Sequence, residues 1–326
     1  MRFSNHRRSL LRTAAATLAL PLPLAFAQVK PVVRLIVPYT PGASNDVIGR
    51  LVAEAMARRS GQTWIVENKP GAGSQLGTDD VAKAVPDGTK LLLGATAGMG
   101  VLPAIKAAMP YSVDRDFTYL ARVASGPFAL VVSTQHAAKD FAEFIRIAKA
   151  NPGSIRMGSA GLGSLDYMGA SLMQSLLGIE MNIIPYKGMA PVLNDLRAGH
   201  IDATIVSPAT IAPLVADGKV RPLAVLDAKR SPLMPTVPSA IELQQPQLMV
   251  GNWWGIIGPA KLPPQVTDAL RQNLQAVLAD PLFRKSLEDK GFDMAPLVGN
   301  AFGEFVVADL QRWKKLAQQA KITLVE

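Results

Sequence analysis

The chain of 326 residues contains no cysteine. Disulfides, thiolate metal sites and cysteine nucleophiles are therefore excluded. Histidine is nearly absent too: His6, His136 and His200 are the full set. Three scattered imidazoles do not make a histidine-rich metal site, and no metal is expected. A serine triad would have to use His136 or His200. The strained Gly-x-Ser-x-Gly turn of serine hydrolases is missing as well; the nearest stretch, Gly42-Ala43-Ser44-Asn45-Asp46, ends in Asp. These absences argue against most hydrolases. No apolar run after residue 27 is long enough for a membrane span, which needs about 20 residues. The longest candidate, Leu91 to Leu102, is broken by Gly94, Gly98 and Gly100.

The first 27 residues have a different character. Arg2, Arg7, Arg8 and Arg12 form a basic start with no acidic residue. An apolar run from Thr13 to Phe26 follows and closes on Ala25-Phe26-Ala27. This is the layout of an export signal cut after a small-x-small motif. The expectation is a periplasmic protein, with residues 1–27 removed and the mature chain starting near Gln28. The Arg7-Arg8 pair also suits a twin-arginine signal, so the export route stays open.

Net charge is +9; four of these charges are the leader arginines, which leaves +5 for the rest. Lys and Arg are scattered rather than gathered with aromatics between them, so no nucleic-acid partner is expected. A basic balance suits an anionic small ligand. Hydrophobic residues make up 49% of the chain, enough for packed cores over about two domains.

Strand and helix signals alternate from residue 30. Val32 to Val37 is a β-branched run closed by Pro38. Leu51, Val52, Ala55 and Met56 then recur at helical spacing, and Gly61 stops them. The same grammar repeats through strands near 63–66 and 90–93, and restarts after Pro127. This predicts α/β layers with mostly parallel sheets. The loops leaving the strands are rich in Gly, Ser and Thr at 39–46, 70–75, 94–100 and 158–164. Ligands in such folds sit on those loops, and helix N-termini favour anions. The pattern predicts a carboxylate-like anion held by neutral donors. Gly158-Ser159-Ala160-Gly161-Leu162-Gly163 lacks dinucleotide-loop spacing and a Walker lysine, so no nucleotide cofactor is expected.

Several segments in order carry a resemblance. They are Val37-Pro38-Tyr39-Thr40-Pro41-Gly42-Ala43-Ser44-Asn45-Asp46 with Arg50, and Val66-Glu67-Asn68-Lys69-Pro70-Gly71-Ala72-Gly73. Gly158-Ser159 to Ser164 and Pro185-Tyr186-Lys187-Gly188 follow, then Gly199-His200-Ile201-Asp202 and Trp254-Gly255. Together they resemble the periplasmic solute-binding proteins of tripartite tricarboxylate transporters, the Bug or TctC family. The resemblance implies a two-lobed periplasmic-binding-protein (Venus-flytrap) fold with a ligand cleft between lobes, and no enzymatic activity. It implies a small organic acid as ligand and a membrane permease as partner, with the protein a monomer. A sensor kinase is the alternative partner, and an exported carboxylate enzyme using Asp46 as base is a remoter alternative.

Lobe 1 is expected from 28–125 plus 227–326, and lobe 2 from 126–226. The crossings then lie at Ser125-Gly126-Pro127 and Asp227-Ala228. By position, the resemblance places Tyr39, Pro41, Gly42, Ala43, Ser44, Asn45 and Asp46 at the ligand, with Gly73, Ser74 and Thr96 beside them. Ser159, Gly163, Ser164, Tyr186 and Ser207 come from the other lobe. Asp46 also reads as a first-turn acid stabilised by the helix dipole, and Tyr186 as a packing residue. Lys187 reads as a solvated or structural charge. Trp253 and Trp254 point to opposite faces of a strand, so at least one belongs to a core. Two departures from the family pattern, Ala43 for a second glycine and Tyr167-Met168 for His-Leu, put the usual ligands in question.

Overall fold

The computed structural model describes residues 31–323. The leader expected over residues 1–27 lies outside the described residues. From its start the chain runs β1 (Val33–Val37), α1 (Ser44–Ser60), β2 (Trp64–Asn68), α2 (Gln75–Ala82), β3 (Lys90–Ala95), α3 (Leu102–Ile105) and β4 (Phe117–Pro127). It continues with β5 (Ala129–Ser133), α4 (Phe141–Ala150), β6 (Arg156–Ser159), α5 (Leu165–Leu177), β7 (Asn182–Pro185), α6 (Met189–Ala198), β8 (Ala203–Val206), α7 (Pro208–Ala216) and β9 (Val220–Val225). It closes with β10 (Gly251–Pro259), α8 (Pro264–Ala279), α9 (Pro281–Glu288), β11 (Asp293–Val298) and α10 (Asn300–Gln319).

Two sheets result. One has the order β11-β4-β10-β3-β1-β2, the other β7-β6-β8-β5-β9. Strand alternation sorts the core onto both faces of each sheet. In β1, Val33, Leu35 and Val37 pack with Ile48, Val52 and Met56 of α1 and Leu274 of α8. Ile36 turns the other way, toward Val81 of α2 and Phe302 of α10. In β5, Leu130 and Val132 bury with Phe144 and Met173, while Ala129 and Val131 bury with Leu196 and Ile211.

The expectation of mostly parallel sheets does not hold. β1 is parallel to β2 and β3, and β6 to β7 and β8. The remaining pairs are antiparallel: β10 with β3 and β4, β11 with β4, and β5 with β8 and β9. The cause is connectivity. β4 feeds straight into β5 through Phe128, and β10 returns beside β4 in the opposite direction. Strands β4 and β11 were not expected from the sequence. β4 is largely buried along its length and so lacks a period-two pattern, and β11 carries Pro296 in a short edge strand.

Three backbone passages meet between the sheets. Phe128 N–H donates to Val250 O at 3.0 Å, Leu226 N–H to Phe128 O at 2.8 Å, and Val250 N–H to Leu226 O at 2.9 Å. The proline-rich stretch 232–246 packs with the five-stranded sheet, where Met234 and Val237 bury beside Ala129 and Val131. The chain therefore re-enters the six-stranded sheet at Gly251 rather than near Asp227. No helix among the described residues is long and apolar enough to cross a membrane.

Candidate functional site

A cavity of about 600 Å³ opens between the two sheets' loops, a volume suited to a small molecule. One wall comes from the loop into α1, the 70–74 turn, Asn252 and Trp254. The other comes from 160–162, 164–166, 186–189, Phe128, Ser207 and Thr210. The walls touch: Ser44 Oγ and Thr210 Oγ1 are 3.1 Å apart in a hydrogen bond. A Cβ added at Gly73 would lie 3.4 Å from the Leu162 carbonyl oxygen, so the two loops nearly meet there as well.

Asp46 shapes the first loop rather than lining the cavity. Gly42 N–H donates to its Oδ2 at 3.0 Å, and Arg50 clasps both oxygens at 2.9 and 3.0 Å. Asn68 Nδ2 reaches Asp46 Oδ1 at 3.0 Å and Tyr39 O at 3.1 Å. Burial would raise the Asp46 pKa, but the donors Arg50, Gly42 and Asn68 outweigh it and hold the carboxyl below its ordinary value. The clamp leaves Ser44 and Asn45 on the wall, where first-turn N–H groups have no partner inside the helix.

The 71–74 turn is strained. Gly71, Ala72, Gly73 and Ser74 have φ of 140°, 47°, 65° and 86°. Positive φ at Ala72 and Ser74 costs about 1–3 kcal/mol each, a cost that clusters at ligand clamps. It presents Ser74, 3% exposed, to the cavity, with an Oγ that meets no partner of hydrogen-bond geometry. The Tyr39 hydroxyl is near enough to interact with it, and burial pushes that phenol up to about 12.

On the opposite wall, Ser164 caps α5. Its Oγ accepts from Tyr167 N–H at 3.3 Å and donates to Gly161 O at 2.7 Å. Asp166 follows in the first turn, 5% exposed and lining the cavity. Its Oδ2 accepts Ala160 N–H at 2.6 Å, and among the described residues no ion pair forms on it. Burial drives its pKa up to about 6, against the pull of the Ala160 and Ser164 donors. Tyr186 offers its ring, since its hydroxyl donates to Asp195 Oδ2 at 2.6 Å; burial first, then that bond, raises it to about 12.

Of the residues singled out in the sequence, Tyr39, Ala43, Ser44, Asn45, Gly73, Ser74, Ser164, Tyr186 and Ser207 line the cavity. Pro41, Gly42, Asp46, Thr96, Ser159 and Gly163 do not. Pro41 and Gly42 face solvent. Thr96 is buried in a tie between strands: its N–H donates to Asn252 Oδ1 at 3.0 Å, and its Oγ1 accepts from Trp253 N–H at 3.1 Å. Ser159 is wholly buried at the end of β6, with an Oγ that has no partner. Both tryptophans are core residues, and Trp254 also reaches the wall, where its Nε1 donates to Asn45 Oδ1 at 2.6 Å.

Asp166, Phe128, Asn252, Thr210 and Lys187 line the cavity without having been singled out as ligand contacts. A first-turn acid after a Gly/Ser loop was the available signal for Asp166, and it is the same signal that Asp46 gives. Among the described residues, no group of three or more His, Cys, Asp or Glu gathers to hold a metal.

Two α/β lobes closing on one chamber, walled by hydroxyls and helix N-termini, define a solute-binding protein of the periplasmic-binding type. The chain belongs to the tripartite tricarboxylate transporter family receptors: the family's model matches residues 48–322. These are periplasmic solute-binding proteins, not enzymes. The chain is 29% identical to Protein BugT of Bordetella pertussis, over 94% of each chain. Among solved structures, it superposes on an R. palustris protein with adipate at a TM-score of 0.86, 28% identity, covering 91% of this chain and 99% of that one. MatC from Rhodopseudomonas palustris with bound malate gives 0.81 at 28% identity, covering 88% and 99%.

Proposed function

We propose that this protein captures a small carboxylate-bearing solute in the inter-lobe cleft and delivers it to the membrane permease of a tripartite transporter. One observation carries this reading. Ser74 is buried on the cleft wall beside the Tyr39 hydroxyl, with an Oγ that completes no hydrogen bond of good geometry, held there by a strained turn. A carboxylate would take that donor together with the first-turn N–H groups at Ser44 and Asn45. The relatives with adipate and malate support the ligand class.

The lobes would be residues 31–127 with the chain from 251 onward, and 128–250, closing as rigid bodies about the Phe128, Leu226 and Val250 passages. A ligand touching both lobes would shift the balance toward the closed form by its differential affinity. The protein would act as an exported monomer, with its leader removed near Ala27. A thermal-shift screen of organic acids, followed by calorimetry on the hits, tests the reading. A set of anions that leaves the melting temperature unmoved, while neutral sugars or simple amines raise it, would refute it.

A further inference from the structure

The two lobes present matching acids that end up in different electrical states. Asp46 lies in the first turn of α1 and accepts Gly42 N–H from the loop before it. Asp166 lies in the first turn of α5 and accepts Ala160 N–H from the loop before it. Four residues on, Asp46 meets Arg50, which neutralises it. Four residues on from Asp166 stands Ala170, buried and apolar. Among the described residues Asp166 forms no ion pair, and it is the one acidic side chain on the cavity wall. Its charge reaches across the cleft to the Tyr39 phenol. The basic residue on the wall, Lys187, is exposed and is not paired with it. A buried charge without a counter-charge is costly, and a loop needing only an acceptor for Ala160 N–H could use a neutral side chain.

We propose that the ligand supplies the missing cation: the cleft selects a solute with a carboxylate at one end and an ammonium group at the other, the ammonium docking on Asp166. This rests on the carboxylate reading above. The carboxylate would lie on the first-lobe wall at Ser74, Ser44 and Asn45, with the chain of the ligand spanning the cleft. A plain dicarboxylate would bring a second negative charge against Asp166 and be disfavoured by like-charge repulsion.

Matched pairs test this by calorimetry at about pH 8, where a free carboxylic acid is ionised and a primary ammonium stays protonated. The pairs are 4-aminobutyrate against succinate and 6-aminohexanoate against adipate. In the wild type, the amino acid of at least one pair should bind about tenfold or more tighter than its dicarboxylate. Asp166→Asn keeps an acceptor for Ala160 N–H and removes the charge, so it should abolish that preference while the free variant still melts cooperatively. A wild type that binds the dicarboxylates as tightly as the amino acids, or better, overturns the proposal whether or not the variant folds, and leaves the carboxylate reading standing. An unchanged ratio in Asp166→Asn also overturns it. Binding by none of the four overturns both readings.

Discussion

At the scale of single residues, charge compensation separates structural groups from ligand-facing ones. Asp166 ionises at about 6 because it is buried, above the ordinary aspartate range. The folded state therefore holds its proton more tightly than the unfolded state does. The group is harmless to stability below about pH 4, and its ionisation destabilises the fold as pH rises through about 6. Asp166→Asn is expected to stabilise the ligand-free protein at about pH 7 by up to about 3 kcal/mol, with no gain at about pH 4. Urea midpoints of both proteins at the two pH values check it; equal midpoints at neutral pH would contradict it. Ser74 makes the opposite case. Its Oγ completes no protein hydrogen bond of good geometry, though the Tyr39 hydroxyl lies near it, so Ser74→Ala should shift the melting temperature of the free protein only slightly. It should weaken carboxylate binding about tenfold or more, as expected for a lost charge-assisted bond. Calorimetry beside a melting curve separates the two effects.

At the scale of elements, the loops into α1 and α5 are built by acids that reach back to backbone N–H groups. Asp46 ties Gly42, Arg50 and Asn68 into one clamp. Asp46→Ala should cost about 2 kcal/mol, since Arg50 is exposed and screened. It should also loosen residues 39–45, which faster amide exchange at Ser44 and Asn45 would report; unchanged protection there would show that the loop holds without the clamp. Because the Asp46 pKa is depressed, this contribution is fully present above the ordinary aspartate pKa. It is lost only as pH falls below that value, the reverse of the Asp166 effect.

At the scale of the molecule, few hydrogen bonds cross the cleft, while Val101, Ile105 and Trp313 of one lobe bury with Leu165 and Met168 of the other. Ser44 and Thr210 make a side-chain hydrogen bond across the cleft at 3.1 Å, and the Gly73 turn nearly touches the 162–163 backbone. Thr210→Val removes that bond while keeping the shape of the side chain. The free protein should expand slightly in small-angle scattering and bind its carboxylate a few-fold more weakly. Unaltered scattering would mean that this bond does not hold the lobes together.

The sequence alone determined the alternating strands and helices and the Gly/Ser loops between them, because turn chemistry, helix caps and apolar periodicity are local. Val33 to Val37, the α1 repeat and the Gly/Ser loops could be read directly. The missing cysteine and sparse histidine narrowed the chemistry before any fold was known. The tertiary structure decided what depends on partners distant in the chain. It made β4 and β10 antiparallel, since one leaves the six-stranded sheet where the other returns. It buried Thr96 just past the end of β3 and Ser159 at the end of β6, although both stand in loops that looked ligand-facing. Asp46 and Asp166 carry the same local signal, an acid in the first turn of a helix after a small-residue loop. Only the fold, by placing Arg50 and Asn68 on one carboxylate and the cleft beside the other, made the first a clamp and left the second unneutralised.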